Sequence, residues 1–361
     1  MFRCSALPRL SLCCVLILSA GTFSVVPGAK ALAATQQDDA SKPGKQKKDN
    51  DLPLATDAVK NPTLWHEPSQ IAGLDLFCGQ GGKEKQPQGP FTFLQEDENG
   101  TNPKMDVRDA NGKKWRVKEG EEARPEVVAS RLLWAMGYYA NDDYLVQNAT
   151  VTGVKMHRGS KDLKEGKLKD VRFSRKPSGQ DKIGIWQWRE NPFTGSREFN
   201  GLRVMMAVMN NWDLKDVNNS VYKDKNSGSQ VFLVNDVGAT FGANGVGWTR
   251  ARSKGNIDSF RDSKFIRRLT DTEVDFSTPS KPTGIFLASA GTTIKSYKMR
   301  SGLDWIGDNI PRADARWIGS LLGQLSHAQL VDAFRAGNFP AADVDSYVDI
   351  VESRIAELKK L

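Results

Sequence analysis

Residues 211–219 read NWDLKDVNN, and residues 231–242 read VFLVNDVGATFG. In the second stretch an apolar run of strand character ends at Asp236, and a glycine follows two residues later. A carboxylate at the end of a buried strand is unfavourable unless its charge is paired or bound to a metal. The first stretch places another carboxylate, Asp213, five residues before the amide of Asn218. This combination predicts a site that holds a metal ion and a phosphate.

The residue types in the two motifs suit phosphoryl transfer, which depends on positioning and charge neutralisation. Mg²⁺ prefers hard oxygen ligands, takes few of them from protein and completes its shell with phosphate and water. Asp236 and Asn218 are therefore the candidate metal ligands. Asp213 would accept a hydroxyl proton or orient the nucleophile, and Lys215 would reach the transferred phosphate. Two Asp-rich turns on either side of a hairpin are the alternative interpretation of the same residues.

Three predicted strands precede the motifs. They are FTFLQED (91–97), MDVRDA (105–110) and KKWRVKEG (113–120). The loop ENGTNPK (98–104) joins the first two strands, and Asn111-Gly112, a strong signal for a two-residue hairpin turn, joins the second and third. A β-rich unit is therefore predicted at the start of the folded chain.

A helix and a further strand come next, followed by a mostly helical half. The stretch RPEVVASRLLWAMGY predicts a helix that begins near Pro125 and stops at Gly137. DDYLVQNATVTG (142–153) predicts strand, and the basic stretch 158–182 predicts a surface loop. NGLRVMMAVMNNWD is a second strong helix that runs into the first motif, and VFLVND is a short apolar strand. Residues 243–282 predict irregular structure, and helical patterns fill the rest of the chain.

This order of elements and motifs resembles the protein-kinase-like fold. The kinase catalytic loop reads H-R-D-L-x-x-x-N, and residues 211–218 fill that template except at the first two positions, Asn211 and Trp212. Asp236-Val237-Gly238 is similar to the metal-binding D-F-G of kinases. The resemblance implies an α+β, two-lobed fold. Its first lobe would be small, antiparallel and β-rich with one key helix, and its second lobe mostly helical.

The resemblance also implies roles for residues of the first lobe. Lys118, on the third predicted strand, would be the phosphate-binding lysine, and Glu126 on the helix would be its ion-pair partner. Glu122 is the alternative partner. The helix dipole also favours a negative charge near the helix N-terminus, where Glu126 lies. Without the resemblance, a lysine on an exposed strand is usually just solvated.

The predicted phosphate loop departs from the protein-kinase pattern. Gly100 and Thr101, between the first two strands, would offer backbone N–H groups to the phosphates of a nucleotide. This loop has one glycine in place of G-x-G-x-x-G, and the glycine-rich CGQGG (78–82) is its rival. A flexible surface turn is the plain interpretation of both stretches.

These departures make the chain resemble the atypical branches of the superfamily: bacterial toxin kinases, spore-coat kinases, secretory-pathway kinases and phosphoinositide kinases. The resemblance covers roughly residues 90–335. It implies transfer of the γ-phosphate of ATP, with Mg²⁺, to a hydroxyl acceptor on a protein, a lipid head group or a sugar. The alternative is a catalytically inactive kinase-like module that binds a nucleotide, an anionic ligand or a protein partner.

The N-terminus carries the pattern of an export signal. Arg3 and Arg9 precede an apolar run, Leu10–Ile17, and small residues follow up to Ala34. This run falls short of the roughly 20 residues that cross a membrane, which leaves a membrane anchor as the weaker interpretation. Cleavage would remove residues 1–34 and leave a periplasmic or secreted mature chain without a transmembrane segment.

Composition and length fit a folded globular protein. The chain has 361 residues, of which 39% are apolar, and a net charge of +8, which is modest for that length and does not indicate a nucleic-acid partner. The polar residues 35–62 predict a disordered linker. We expect the β-rich lobe over 63–155 and the helical lobe, with the catalytic and metal-binding loops, over 156–361.

Overall fold

Strands dominate the first half of the described chain, and helices dominate its end. The computed structural model of the protein describes residues 51–98, 102–175, 179–242, 254–278 and 302–361. Within these ranges the strands are β1 (Pro62–Thr63), β2 (Phe91–Glu96), β3 (Lys104–Arg108), β4 (Lys114–Lys118), β5 (Asp142–Thr152), β6 (Lys167–Arg175), β7 (Gln180–Gly184), β8 (Asn219–Asp224), β9 (Gln230–Val234), β10 (Ile266–Leu269), β11 (Glu273–Phe276) and β12 (Ile310–Pro311). The helices are α1 (Ala123–Ala135), α2 (Lys161–Lys164), α3 (Arg197–Val208), α4 (Ile257–Arg261), α5 (Arg312–Leu322), α6 (His327–Ala336) and α7 (Ala341–Lys359).

Five strands close into a barrel in the order β2-β3-β4-β6-β5. All neighbouring strands are antiparallel except β2 and β5, which pair in parallel where Phe91 lies opposite Val151. Apolar side chains such as Val107, Val117 and Phe173 fill the interior. The sheet predicted for the start of the chain is therefore present, but it is closed and not purely antiparallel, because β5 is eleven residues long and its end reaches β2.

Strand β6 belongs to this barrel, although the charges of 158–182 predict a surface loop. That prediction is wrong for β6 because its lysines, Lys167 and Lys169, are exposed while Leu168 between them is buried in the barrel. Alternation of this kind is what a half-buried strand requires. The barrel thus extends beyond residue 155, the expected end of the first lobe.

The β3–β4 hairpin is wider than the two-residue turn that Asn111-Gly112 predicts. The carboxylate of Asp109 accepts the backbone N–H groups of Asn111 and Lys113. It also accepts the indole N–H of Trp115. Gly112 takes a left-handed φ of 74°. A longer turn is therefore favoured, because it satisfies the buried Asp109 and places glycine at the left-handed position.

A second sheet has the strand order β1-β9-β8-β7. Part of the predicted linker, residues 51–62, lies against it, because β1 pairs in parallel with β9. The Gln230 side chain accepts the Lys60 N–H and donates to the Ala58 carbonyl. These residues are therefore part of the folded unit, while residues 1–50, including the predicted signal peptide, lie outside the described ranges.

Regular structure also occurs within 243–282, where the composition predicts none. Helix α4 begins after Asn256, whose side chain accepts the N–H of Ser259. Strands β10 and β11 form an antiparallel hairpin, across which Arg268 donates to both carboxylate oxygens of Asp275. The prediction is wrong for these segments, because a cap and a cross-strand ion pair support structure that a polar composition conceals.

The helices enclose the largest apolar core. Helix α1 packs against β5, β6 and α6, and α3 packs against α5. Met205, Met206 and Met209 are fully buried, as their helical spacing predicts. Ser326 caps α6 in a capping box with Gln329, which confirms it as a helix start.

The described residues, from 51 to 361, belong to one compact unit. Its mixture of helices and sheets agrees with the predicted α+β class, and the division into two kinase-like lobes stays a prediction. Among the helices in the described ranges, none has the length and apolar character to cross a membrane.

Candidate functional site

Helix α3 ends in a Schellman motif that leads directly into the NWD stretch. The N–H of Asn210 binds the Ala207 carbonyl, and the N–H of Asn211 binds the Met206 carbonyl. Asn210 supplies the left-handed φ of 53° that this cap needs, a conformation asparagine tolerates well. The buried side chain of Asn211 then accepts the N–H of Asp213 at 3.0 Å. The two asparagines therefore stop the helix and fix the loop that carries Asp213.

Asp213, Lys215 and Asn218 lie together in that loop. The side-chain N–H of Asn218 donates to the Asp213 carbonyl at 2.6 Å, which leaves the amide oxygen of Asn218 for another partner. The Lys215 ammonium lies 3.1 Å from the Asp213 carboxylate, and both side chains are about one-sixth exposed. A carboxylate held this way is fixed in position and still open to a substrate.

The β8–β9 hairpin brings Asp236 beside Asn218. Asn219 and Val234 pair at the open end of the hairpin, and the Asn235 N–H donates to the Asn218 carbonyl at 2.7 Å. The side chain of Asp236 is 37% exposed. One carboxylate and one amide oxygen on adjacent backbone segments are a donor set that fits Mg²⁺, which takes its other ligands from phosphate and water.

Lys118 lies at the end of β4 with its side chain buried, and three carboxylates surround its ammonium. The Nζ atom is 2.5 Å from Glu122, 3.0 Å from Asp236 and 3.2 Å from Glu126. The kinase resemblance implies Glu126 as the partner with Glu122 as the alternative, and both acids contact the lysine. The contact with Asp236 joins the barrel to the DVG segment, 118 residues later in the chain.

The charges of this cluster shift the pKa values of its members. Burial opposes the charged form of Lys118, but the neighbouring carboxylates, Asp236 foremost, raise its pKa far above the ordinary value. Burial raises the pKa of Glu126 to about 7, which the cations of Arg172 and Lys118 oppose only in part. Burial also disfavours the Asp236 carboxylate, yet Lys118 and Lys104 hold its pKa well below the usual range. Lys118 and Asp236 are therefore both charged at neutral pH.

Glu122, at the start of α1, contacts four other parts of the chain. Besides Lys118, its carboxylate contacts the ammonium of Lys254 and accepts the Asn102 amide N–H at 2.6 Å. Gly238 of the DVG segment packs on the same residue, since a Cβ added there would come within 2.7 Å of the Glu122 Cβ. The glycine of D-V-G is thus required because the start of α1 comes this close.

Four residues of the cluster are not predicted from the sequence: Asn102, Lys104, Arg172 and Lys254. Arg172 pairs with Glu126 from β6, a strand that the sequence analysis misses. Lys104 lies directly opposite Lys118 in the β3–β4 register. The β3–β4 register is the one sequence signal that could have revealed Lys104, because a hairpin with known pairing places the two lysines side by side.

The structure describes the CGQGG stretch, but not the glycine of the other candidate phosphate loop. Gly100 and Thr101 lie outside the described residues, so their predicted role stays a prediction. In the rival CGQGG stretch, a Cβ on Gly79 would meet the Arg131 guanidinium at 2.2 Å, and one on Gly81 would meet the Tyr144 hydroxyl at 1.9 Å. These glycines are accounted for by close packing on α1 and β5.

One further group of possible metal ligands within the described ranges is Glu96, Glu98 and His157 on the barrel rim. The Glu96 carboxylate already accepts the N–H groups of His157 and Arg158. Hydrogen bonding accounts for the Glu96 carboxylate, and Glu98 begins the ENGTNPK loop (98–104).

Comparisons with known proteins give little beyond this geometry. No protein-family model matches the chain, and no curated protein matches it in sequence. A solved structure, that of the proinflammatory kinase CtkA from Helicobacter pylori, aligns with 74% of this chain and 97% of its own at 12% identity and a TM-score of 0.33. At this identity and TM-score the likeness establishes neither the fold nor an activity of this chain.

Proposed function

We propose that the chain is a kinase-like phosphotransferase that moves the γ-phosphate of ATP, with Mg²⁺, to a hydroxyl acceptor. The observation that carries the proposal is the convergence at Asp236. Its side chain contacts the buried Lys118 at 3.0 Å, and its backbone N–H faces the Asn218 carbonyl at 3.4 Å. Separate sequence segments thus bring a cation, two metal-type oxygen donors and a candidate base into one site.

Each residue has a defined part in the proposed transfer. Asp236 and Asn218 would hold Mg²⁺, which neutralises charge on the phosphate oxygens when bound. The acceptor oxygen would form a bond to the γ-phosphorus as the bond to ADP breaks, and Asp213 would take the hydroxyl proton. Lys215, which pairs with Asp213, would keep that carboxylate in place and face the transferred phosphoryl group.

The proposed acceptor is a hydroxyl group on a protein, a lipid head group or a sugar. The predicted signal peptide adds the proposal that transfer takes place after export, in the periplasm or outside the cell. A kinase at that location would depend on ATP supplied there.

A second candidate function is a catalytically inactive kinase-like module that binds a nucleotide, an anionic ligand or a protein partner. One observation favours it: all three carboxylates near Lys118 contact its ammonium, so the predicted phosphate lysine is already occupied. Asn211 and Trp212 also depart from the kinase template.

ATP binding and ATP consumption, measured together on the wild type and Asp213→Asn, separate the two functions. The phosphotransferase proposal expects the variant to bind ATP like the wild type while its turnover falls at least a hundredfold, because only the base is lost. Asp181→Ala, an exposed acid on β7, is the matched control and should leave both measurements unchanged. A wild type that binds ATP without consuming it, in the presence of candidate acceptors, would favour the binding module.

A further inference from the structure

The ammonium of Lys118 has no N–H group to spare for a phosphate. A lysine ammonium carries three N–H donors, and three carboxylate oxygens lie within 3.2 Å of this one. Two of the three acids, Glu122 and Glu126, are almost fully buried and held by further partners. If a nucleotide binds to this arrangement, as the proposed function requires, another cation must meet its phosphates.

Lys104 is in position to supply that cation. It is the direct cross-strand neighbour of Lys118, and residues paired in this way project from the same face of a sheet. Its side chain is half-buried, so it is sheltered without being enclosed. Within the described ranges no carboxylate forms an ion pair with it, in contrast to Lys118.

The electrostatic setting of Lys104 favours an anion. Burial and the neighbouring Lys118 both lower the pKa of Lys104, and Asp236 opposes them. An ammonium that is partly desolvated and repelled by a second ammonium gains more than an exposed one from a bound polyanion. The ligand class that suits this half-buried ammonium beside a candidate metal site is a polyphosphate chain.

We propose that Lys104 is the lysine that binds the phosphate chain of a nucleoside triphosphate, while Lys118 holds the three carboxylates in place. Lys104 begins β3, directly after the loop that joins β2 to β3. A side-chain cation there compensates for a loop whose sequence has a single glycine in place of the G-x-G-x-x-G of protein kinases. This inference rests on the proposed function.

Titration of ATP with Mg²⁺ into the full chain and its Lys104→Met variant tests the proposal. A charge-assisted contact is lost, so we expect binding to weaken about tenfold to a hundredfold. Lys104→Arg keeps the charge and should recover most of the affinity. Lys113→Met removes an exposed lysine from the other end of the same hairpin and should bind like the wild type.

The outcomes distinguish this inference from the function on which it rests. Equal ATP affinity in the wild type and Lys104→Met would overturn the role of Lys104 and leave the proposed function standing. A folded wild type that binds no ATP would overturn both. Unfolding curves recorded for each variant keep the comparison valid, and Lys104→Gln replaces the methionine variant if that one does not fold.

Discussion

Replacing Lys118 with methionine tests how far the site depends on one buried cation. The substitution keeps the length and apolar stem of the side chain and removes its charge. Three carboxylates would lose their shared partner, and two of them, Glu122 and Glu126, lie in the interior. A buried acid left without its cation is costly, whereas an exposed one is not.

The size of the stability loss depends on which partner each carboxylate retains after Lys118 is replaced. Breaking a buried ion pair by removing one partner costs about 3–5 kcal/mol. Glu126 retains Arg172, Glu122 retains Lys254, and Asp236 is partly exposed. We therefore expect the free energy of unfolding to fall by about 3 kcal/mol, at the lower end of that range.

The loss should also depend on pH. The pKa of Glu126 is already raised to about 7, and removal of Lys118 raises it further. An acid with a raised pKa in the folded state is protonated and neutral at low pH, and its destabilising charge appears as the pH rises. The deficit of Lys118→Met relative to the wild type should thus be smaller at pH 5 than at pH 8.

Denaturant unfolding at both pH values measures this prediction. Lys113→Met is the matched control, since it removes an exposed lysine directly before the same strand, and it should cost no more than about 0.5 kcal/mol. If Lys118→Met cost as little as Lys113→Met, or lost less stability at pH 8 than at pH 5, the three acids would not depend on this lysine.

Two further predictions concern backbone packing and acid stability. Gly238→Ala should reduce ATP affinity and stability, because its Cβ would fall within 2.9 Å of the Glu122 carbonyl oxygen and push α1 away from the DVG segment. Gly73→Ala, which meets nothing within 4 Å, is the control, and equal melting temperatures for both variants would contradict the prediction. Burial disfavours the Asp106 carboxylate, but Arg116 and Lys114 outweigh burial and lower the pKa of Asp106 in the folded state. The contribution of this carboxylate to stability should therefore be present above the ordinary aspartate pKa of 3.8 and lost as the pH falls below that value. Unfolding curves of Asp106→Asn and the wild type should therefore converge in acid, and a constant gap from pH 7 to pH 3 would refute this.

Elements with strong local signals are predictable from the sequence. The strands β2 to β5 follow from their strand-like sequences, with alternation in β3, α1 follows from its apolar spacing and its glycine stop, and α6 follows from its cap. Gly137 takes a φ of 83° and completes a Schellman motif, as a helix-ending glycine should. The D-x-x-x-x-N and D-V-G motifs predict the meeting of Asn218 with Asp236, because the β8–β9 hairpin between them is short.

Features that depend on long-range pairing are not predictable in the same way. Strand β6 was hidden by its lysines, which lie on the outer face of the barrel, and with β6 missing no pattern could supply Arg172 as a partner for Glu126. The β3–β4 register that sets Lys104 beside Lys118 depends on a turn that proved longer than its Asn-Gly signal. The kinase resemblance also implies one glutamate partner for Lys118, whereas three carboxylates contact it in the structure.

Calorimetric titration of ATP into the purified chain, with and without Mg²⁺ and beside Asp236→Ala, tests the central claim most directly. The proposed site predicts binding that Mg²⁺ strengthens in the wild type and that loses this dependence in the variant, because Asp236 supplies the carboxylate ligand. Asp181→Ala should behave like the wild type. A folded wild type with no ATP binding, or a Mg²⁺ effect that survives in Asp236→Ala, would contradict the account.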